Sequence, residues 1–162
     1  QLKLDVPITY SKGLDQPQLA AAKLRTDLEA RIAGTRAGRK HPDTAGETLL
    51  ADPKKHYELL LEQFRAVAGK DAALPESVQA VQNAKRKESP PYDQAISDLD
   101  AALISHIEVS DADLVALGKE RARAIQDALL SDGQIEPARV FIVDTPPKPD
   151  SGGKVKVEMA VK

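Results

Sequence analysis

The first apolar signal in the chain has period two. Leu2, Leu4, Val6 and Ile8 alternate with Lys3 and Asp5, which predicts a half-buried strand over residues 2–8. Pro7 predicts that its ladder ends there or lies at an edge. Ser11 to Gly13 read as a loop, and Asp15 as the cap of a helix whose first turn tolerates Pro17. Leu24, Leu28 and Ile32 then recur every four residues, and Gly34 ends that run. Residues 35–43 are polar and read as a loop. Thr44 and Glu47 have capping-box spacing, and Asp52-Pro53 is a stronger start. Tyr57, Leu60, Leu61, Phe64 and Val67 trace one stripe, closed by Gly69.

Further helices are predicted over Pro75–Lys85, with Val78 and Val81 inward, and over Tyr92–His106, with Ile96, Leu99 and Leu103 on one face. The polar stretch from Lys85 to Pro-Pro at 90–91 separates them. Ser110 and Asp113 form a capping pair for a helix carrying Leu114, Leu117, Ile125 and Leu129 as far as Gly133. Arg139–Val143 is a compact apolar strand. Asp144–Gly153 holds three prolines and two glycines and reads as a stiff loop. Val155, Val157, Met159 and Val161 alternate with Lys154, Lys156 and Glu158, a strand with one wet face.

The order strand, helices, strand, strand predicts a helix-rich α+β fold, an α/β sandwich with a small sheet covered by helices. A single domain of 162 residues is expected, with residues 1–13 and 110–162 as its α/β core and 14–109 as a helical insertion. Aromatics are only 3%, so Ala, Leu, Val and Ile must build the core. The net charge of −2 and the scarcity of stacking side chains argue against a nucleic-acid partner. The basic stretch Arg36–Lys40 reads as a solvated loop. No apolar run reaches the roughly 18 residues needed to span a bilayer. The chain opens on Gln1 inside a strand pattern instead of on Met, so a piece of a longer protein is expected.

Catalytic signals are sparse. Absence of cysteine removes thiolate nucleophiles and Cys-ligated metals. His41, His56 and His106 are far apart in sequence and lack metal-ligand spacing. Ser105 and His106 are neighbours whose side chains leave a helix about 100° apart, which argues against a nucleophile–base pair. Gly152-Gly153-Lys154 lacks the upstream glycine and following helix of a phosphate loop and reads as a hairpin turn. The pairs Asp98/Asp100 and Asp111/Asp113 have no evident apolar pocket to separate their pKa values and read as caps or solvated faces. Asp71, Asp93 and Asp132 stand at element boundaries, where aspartate caps. No catalytic residue, metal or cofactor is expected.

The last 45 residues carry a resemblance. Gly118-Lys-Glu-Arg-Ala-Arg-Ala-Ile-Gln-Asp-Ala-Leu-Leu130, then Ser131-Asp-Gly-Gln-Ile-Glu-Pro-Ala-Arg-Val140 and the strand 154–161, resemble the last helix and strands of an OmpA-like periplasmic domain. Leu117, Gly118, Arg121, Ala122 and Ile125 match that family's Leu-Ser-x-x-Arg-Ala-x-x-Val helix, and Thr9-Tyr10-Ser11-Lys12-Gly13 matches its Thr-Asp-x-x-Gly loop. The long insertion and the Asp-Ala-Asp-Leu-Val-Ala-Leu approach to the Arg-Ala pair resemble the C-terminal end of large AsmA-like envelope proteins of unknown function. The resemblance implies a βαβ core with a helical insertion, a Gram-negative periplasmic setting, and a non-enzymatic domain that binds protein or envelope components, cell wall or lipid among them.

In the OmpA-like family a loop aspartate and a helix arginine grip the diaminopimelate of peptidoglycan, the arginine forking onto a carboxylate and the aspartate answering an ammonium. Arg121 is the matching arginine, so Arg121, Thr9 and Tyr10 are the candidate ligand-binding residues. Tyr10 stands in place of the family's aspartate and Leu114 in place of its asparagine, which removes the partner for the ligand's amine. A peptidoglycan anchor therefore stands as the alternative. A helical interaction module is a further one, favoured by an exposed apolar patch at Tyr57, Leu61 and Phe64. With the family's first strand upstream of Gln1, the strand 2–8 is expected to have an open edge and to pair two copies into a homodimer.

Overall fold

A computed structural model describes residues 2–85, 90–144 and 155–162. The expected hairpin turn at Gly152-Gly153-Lys154, and most of the loops expected over 85–91 and 144–153, lie outside them.

Strand β1 (Leu4–Pro7) is followed by helices α1 (Lys12–Gly34), α2 (Arg36–Lys40), α3 (Ala45–Ala51), α4 (Pro53–Ala68), α5 (Glu76–Asn83), α6 (Tyr92–His106) and α7 (Asp111–Leu130). A 3-10 turn, Pro137–Arg139, leads into β2 (Val140–Val143), and β3 (Ala160–Val161) follows. The fold is helix-rich α+β with a small mixed sheet in the order β2-β1-β3. Strand β1 runs parallel to β2, with Leu4 opposite Val140 and Val6 opposite Ile142, and antiparallel to β3, with Leu4 opposite Val161.

The sheet corrects two expectations. The strand 2–8 has no free edge of the kind expected, because β2 lines one side of β1 and β3 the other at Leu4 and Asp5. Reciprocal bonds between Lys3 and Lys162 extend that second pairing. The edge that was to join two copies is thus taken up within the chain. The alternation over 154–161 also overstates its strand: only Ala160 and Val161 pair, while Val155 to Met159 carry no ladder. Exposure of Met159 and Val161 removes the burial that would hold a longer strand in register.

The chain divides into two compact units, Gln1–Leu19 with Val109–Lys162, and Ala20–Glu108. The sequence placed these seams at 13/14 and 109/110, within one domain. The first seam falls further along α1, between Leu19 and Ala20, and the helix itself starts early: Ser11, not Asp15, caps it. The Ser11 hydroxyl accepts from the Leu14 amide at 3.2 Å, and the Asp15 amide donates to the Ser11 carbonyl at 2.8 Å.

In the first unit the inward face of the sheet, Val6, Ile8 and Val140, packs on Ala122 of α7, with Ile125, Leu129 and Ile142 around them. In the second unit Leu24, Leu28, Leu60, Phe64, Val78, Leu99 and Leu103 form the main core. A smaller cluster joins Ile32, Ala45 and Leu59. Tyr57 and Phe64 are buried and Leu61 packs against the same cluster, so the stripe that would favour a docking groove is core. Residues 36–40 are helical, not loop: Thr35 caps α2 through the Gly38 amide, and Gly38 lies so close to the end of α1 that a Cβ there would meet the Ile32 carbonyl oxygen. Local capping outweighed a polar composition that reads as loop.

Helix α4 begins as read, with Asp52 accepting from the amides of Lys54 and Lys55 ahead of Pro53. Helix α7 carries the reciprocal capping box of Ser110 and Asp113. No helix among the described residues is long and apolar enough to cross a membrane.

Candidate functional site

The first unit contains a charged centre built from the two helices that flank its strands. Helix α1 follows β1 after the short connection Ile8 to Ser11 and puts Asp15 on its buried side, one turn past its cap. Helix α7 presents Arg121 one residue before the core residue Ala122. The guanidinium meets the carboxylate along both edges: Nη1 donates to Oδ2 at 2.7 Å and Nη2 to Oδ1 at 2.6 Å. Oδ2 also accepts the Ser11 amide at 2.8 Å. Asp15 is only 1% exposed, whereas the Arg121 side chain is 30% exposed. The acid is therefore sealed, and the base reaches it from a partly wet side.

Electrostatics follow from this geometry. The fork from Arg121, with the Ser11 amide, holds the Asp15 carboxyl below the ordinary aspartate range despite its burial. The same bond pushes Arg121 up. Both directions favour the ion pair. Two of the five N–H donors of Arg121, one on each Nη, are spent on Asp15, and both Asp15 oxygens are occupied.

The floor of the site is set by Gly118, one turn before Arg121. A Cβ there would stand 2.8 Å from Ile8 Cγ2 and 3.3 Å from the Thr9 carbonyl oxygen. Glycine lets α7 lie directly on the end of β1, which brings the Arg121 turn within reach of α1.

Of the three residues predicted to bind a ligand, Arg121 is central, but its bonds go to neither Thr9 nor Tyr10. Thr9 makes a long hydroxyl contact to the Pro7 carbonyl at 3.5 Å, and Tyr10 is half-buried. Asp15 and Ser11 are the members that sequence reasoning missed. In sequence Asp15 reads as a cap, a role that fits its place in the first turn and hides its partner 106 residues away.

Other chemistry is limited. Ser105 and His106 lie 3.3 Å apart, because both fold back on one carbonyl. The Ser105 hydroxyl donates to Ala102 O at 2.6 Å and His106 Nδ1 lies 2.8 Å from the same oxygen. A protonated Nδ1 pointing at a carbonyl is not a base for the serine. The Asp98/Asp100 pair also departs from its reading: Asp98 accepts from Ser77 and Gln94, whereas burial raises the Asp100 pKa, with His56 opposing. Among the described residues no group of three or more His, Asp or Glu is placed to hold a metal ion.

No protein-family model, curated protein or solved structure matches this chain.

Proposed function

We propose that this chain is a non-enzymatic C-terminal domain of a large Gram-negative envelope protein, facing the periplasm. Its first unit is an OmpA-like core in which the arginine of the ligand grip has become part of the protein's own frame. Its contacts are with protein or other envelope components and do not run through a diaminopimelate clamp at Arg121.

The observation that carries this reading is the Arg121–Asp15 fork. A helix running into β2 sends its arginine back to the segment after β1, and β2 and β3 flank β1 in one sheet. This is the relation between helix and loop that the OmpA-like resemblance implies. The acid, absent at Tyr10, is supplied just past the matching loop by Asp15, and buried. A ligand carboxylate would have to displace an internal one that is already desolvated and held by three donors.

The test has two arms. Purified domain mixed with peptidoglycan sacculi should remain in the supernatant, and Arg121→Ala should leave that result unchanged. Co-sedimentation that disappears in Arg121→Ala would overturn the closed-clamp reading in favour of a peptidoglycan anchor. In cells, a tagged full-length parent should lose this domain to protease once the outer membrane is permeabilised and the inner membrane is intact; protection there would remove the periplasmic assignment.

A further inference from the structure

A second feature lies wholly in the helical unit. Arg31 on α1, Glu62, Arg65 and Ala66 on α4, and Lys70 just beyond α4 line a groove of about 410 Å³. That volume falls within the roughly 300–1,000 Å³ usual for small-molecule sites. Three cations face one carboxylate, in a chain whose total charge is −2.

Arg31 is not a loose surface side chain. Its Nε donates to Gln63 Oε1 at 2.9 Å, and Gln63 is 8% exposed. Its Nη1 lies 3.4 Å from Glu62 Oε2. The guanidinium plane is thereby fixed on two sides, and Nη2 has no acceptor among the described residues. Arg65 and Lys70 likewise have no carboxylate partner within ion-pair distance among the described residues. Positive charge left unanswered around a preset arginine is an arrangement that recognises an oxyanion with several oxygens.

The geometry points to a phosphate site: the groove binds a phosphomonoester, with Arg31 as the preset fork and Arg65 and Lys70 as the flanking charges. Glu62 orients Arg31 and at the same time competes with the ligand. The shared chemistry is the dianionic phosphate, carried either by a soluble ester or by a lipid headgroup. A competing account is that Arg31 and Arg65, each in the last turn of its helix, serve only the carbonyl ends of α1 and α4.

Titration with inorganic phosphate, followed by amide chemical shifts, separates the two. Saturable shifts should appear at Arg31, Glu62, Arg65, Ala66 and Lys70. The doubly substituted R65A/K70A protein should bind at least about tenfold more weakly with its fold intact, since each charge-assisted bond is worth more than a factor of ten. Glu62→Gln should bind more tightly. Vesicles containing phosphatidic acid, set against phosphatidylcholine alone, assign the source: capture by the former marks a lipid headgroup, and phosphate binding without capture marks a soluble ester. Shifts of equal size at Arg36, Arg39 and Lys40, or no saturable shift, overturn the site. None of these outcomes depends on the sacculus test, because the groove shares no residue with Arg121 and Asp15.

Discussion

Asp15 and Asp100, one carboxylate in each unit, are both withdrawn from water and are handled in opposite ways. Asp15, in the α/β unit, is sealed and fully answered by Arg121 and the Ser11 amide, and its pKa is lowered. Asp100, in the helical unit, is half-buried and its pKa is raised by burial, with only the charge of His56 opposing. The same contrast recurs with neutral groups. Ser11 is buried with its hydroxyl and carbonyl both bonded, while the buried Tyr57 hydroxyl finds no hydrogen-bond partner among the described residues. The α/β unit has few apolar residues to bury, so it fixes its two helices with a directed polar centre. The helical unit has a leucine-rich core large enough to carry imperfectly solvated groups. Specific pairing does the work in one, and apolar area in the other.

The strongest way to break the comparison is Arg121→Ala. It leaves a sealed carboxylate with one remaining donor and should destabilise by about 3 kcal/mol, the lower end for a broken buried pair because water can reach the arginine side. Urea denaturation gives the total. Amide exchange gives the location: protection should fall in β1, β2 and α7 while α4 and α6 keep theirs. Next is Gly118→Ala, which pushes α7 off Ile8 and Thr9 and should cost about 1–3 kcal/mol in the same unit. In the helical unit Tyr57→Phe should go the other way and stabilise by up to about 1 kcal/mol, because it removes a buried hydroxyl that the Gln82 side chain answers without a well-formed hydrogen bond and leaves the ring tilted against Tyr92.

The smallest effect is in the pH profile. A raised carboxyl in the folded state binds its proton more tightly than in the unfolded chain. Asp100 therefore makes the protein gain stability as pH falls from neutrality toward the ordinary value of 3.8. Asp100→Asn should flatten that rise and add roughly 0.5 kcal/mol at pH 7. Asp15 has the opposite sign. Its contribution is complete above pH 3.8 and is lost as pH falls below it through the lowered value, so an acid limb below about pH 4 should survive in Asp100→Asn and shrink in Asp15→Asn, leaving the part that Asp52, also lowered, contributes.

Much of the fold was legible because its signals are local. Asp52-Pro53 and Ser110/Asp113 announce helix starts through bonds made within three residues, and the Tyr57–Val67 stripe reports a face buried by period alone. Residues 36–40 misled because their composition is that of a loop, while the helix rests on one threonine cap and one glycine packed on its neighbour. The tail misled in the other direction, since alternation over 154–161 states a capacity for pairing that only Ala160 and Val161 use.

The centre was half legible. Arg121 stood out through its surroundings on α7. Asp15 did not, because an aspartate in the first turn of a helix already has a sufficient local explanation, and nothing in the sequence says that a base 106 residues away will claim it. Asp100 was hidden for a related reason: burial of a polar residue depends on which helices pack over it, and periodicity carries no such information.

A double-substitution cycle between Asp15 and Arg121 reaches the claim beneath all of this, that the two groups are partners in the resting protein and the guanidinium is not held in reserve for a ligand. Folding free energies of Asp15→Ala, Arg121→Ala and the double variant should reveal a coupling of about 2 kcal/mol or more at neutral pH that shrinks as pH falls below 3.8. Costs that simply add, to within about 0.5 kcal/mol, would mean that the pair holds nothing together and that Arg121 is available for another role.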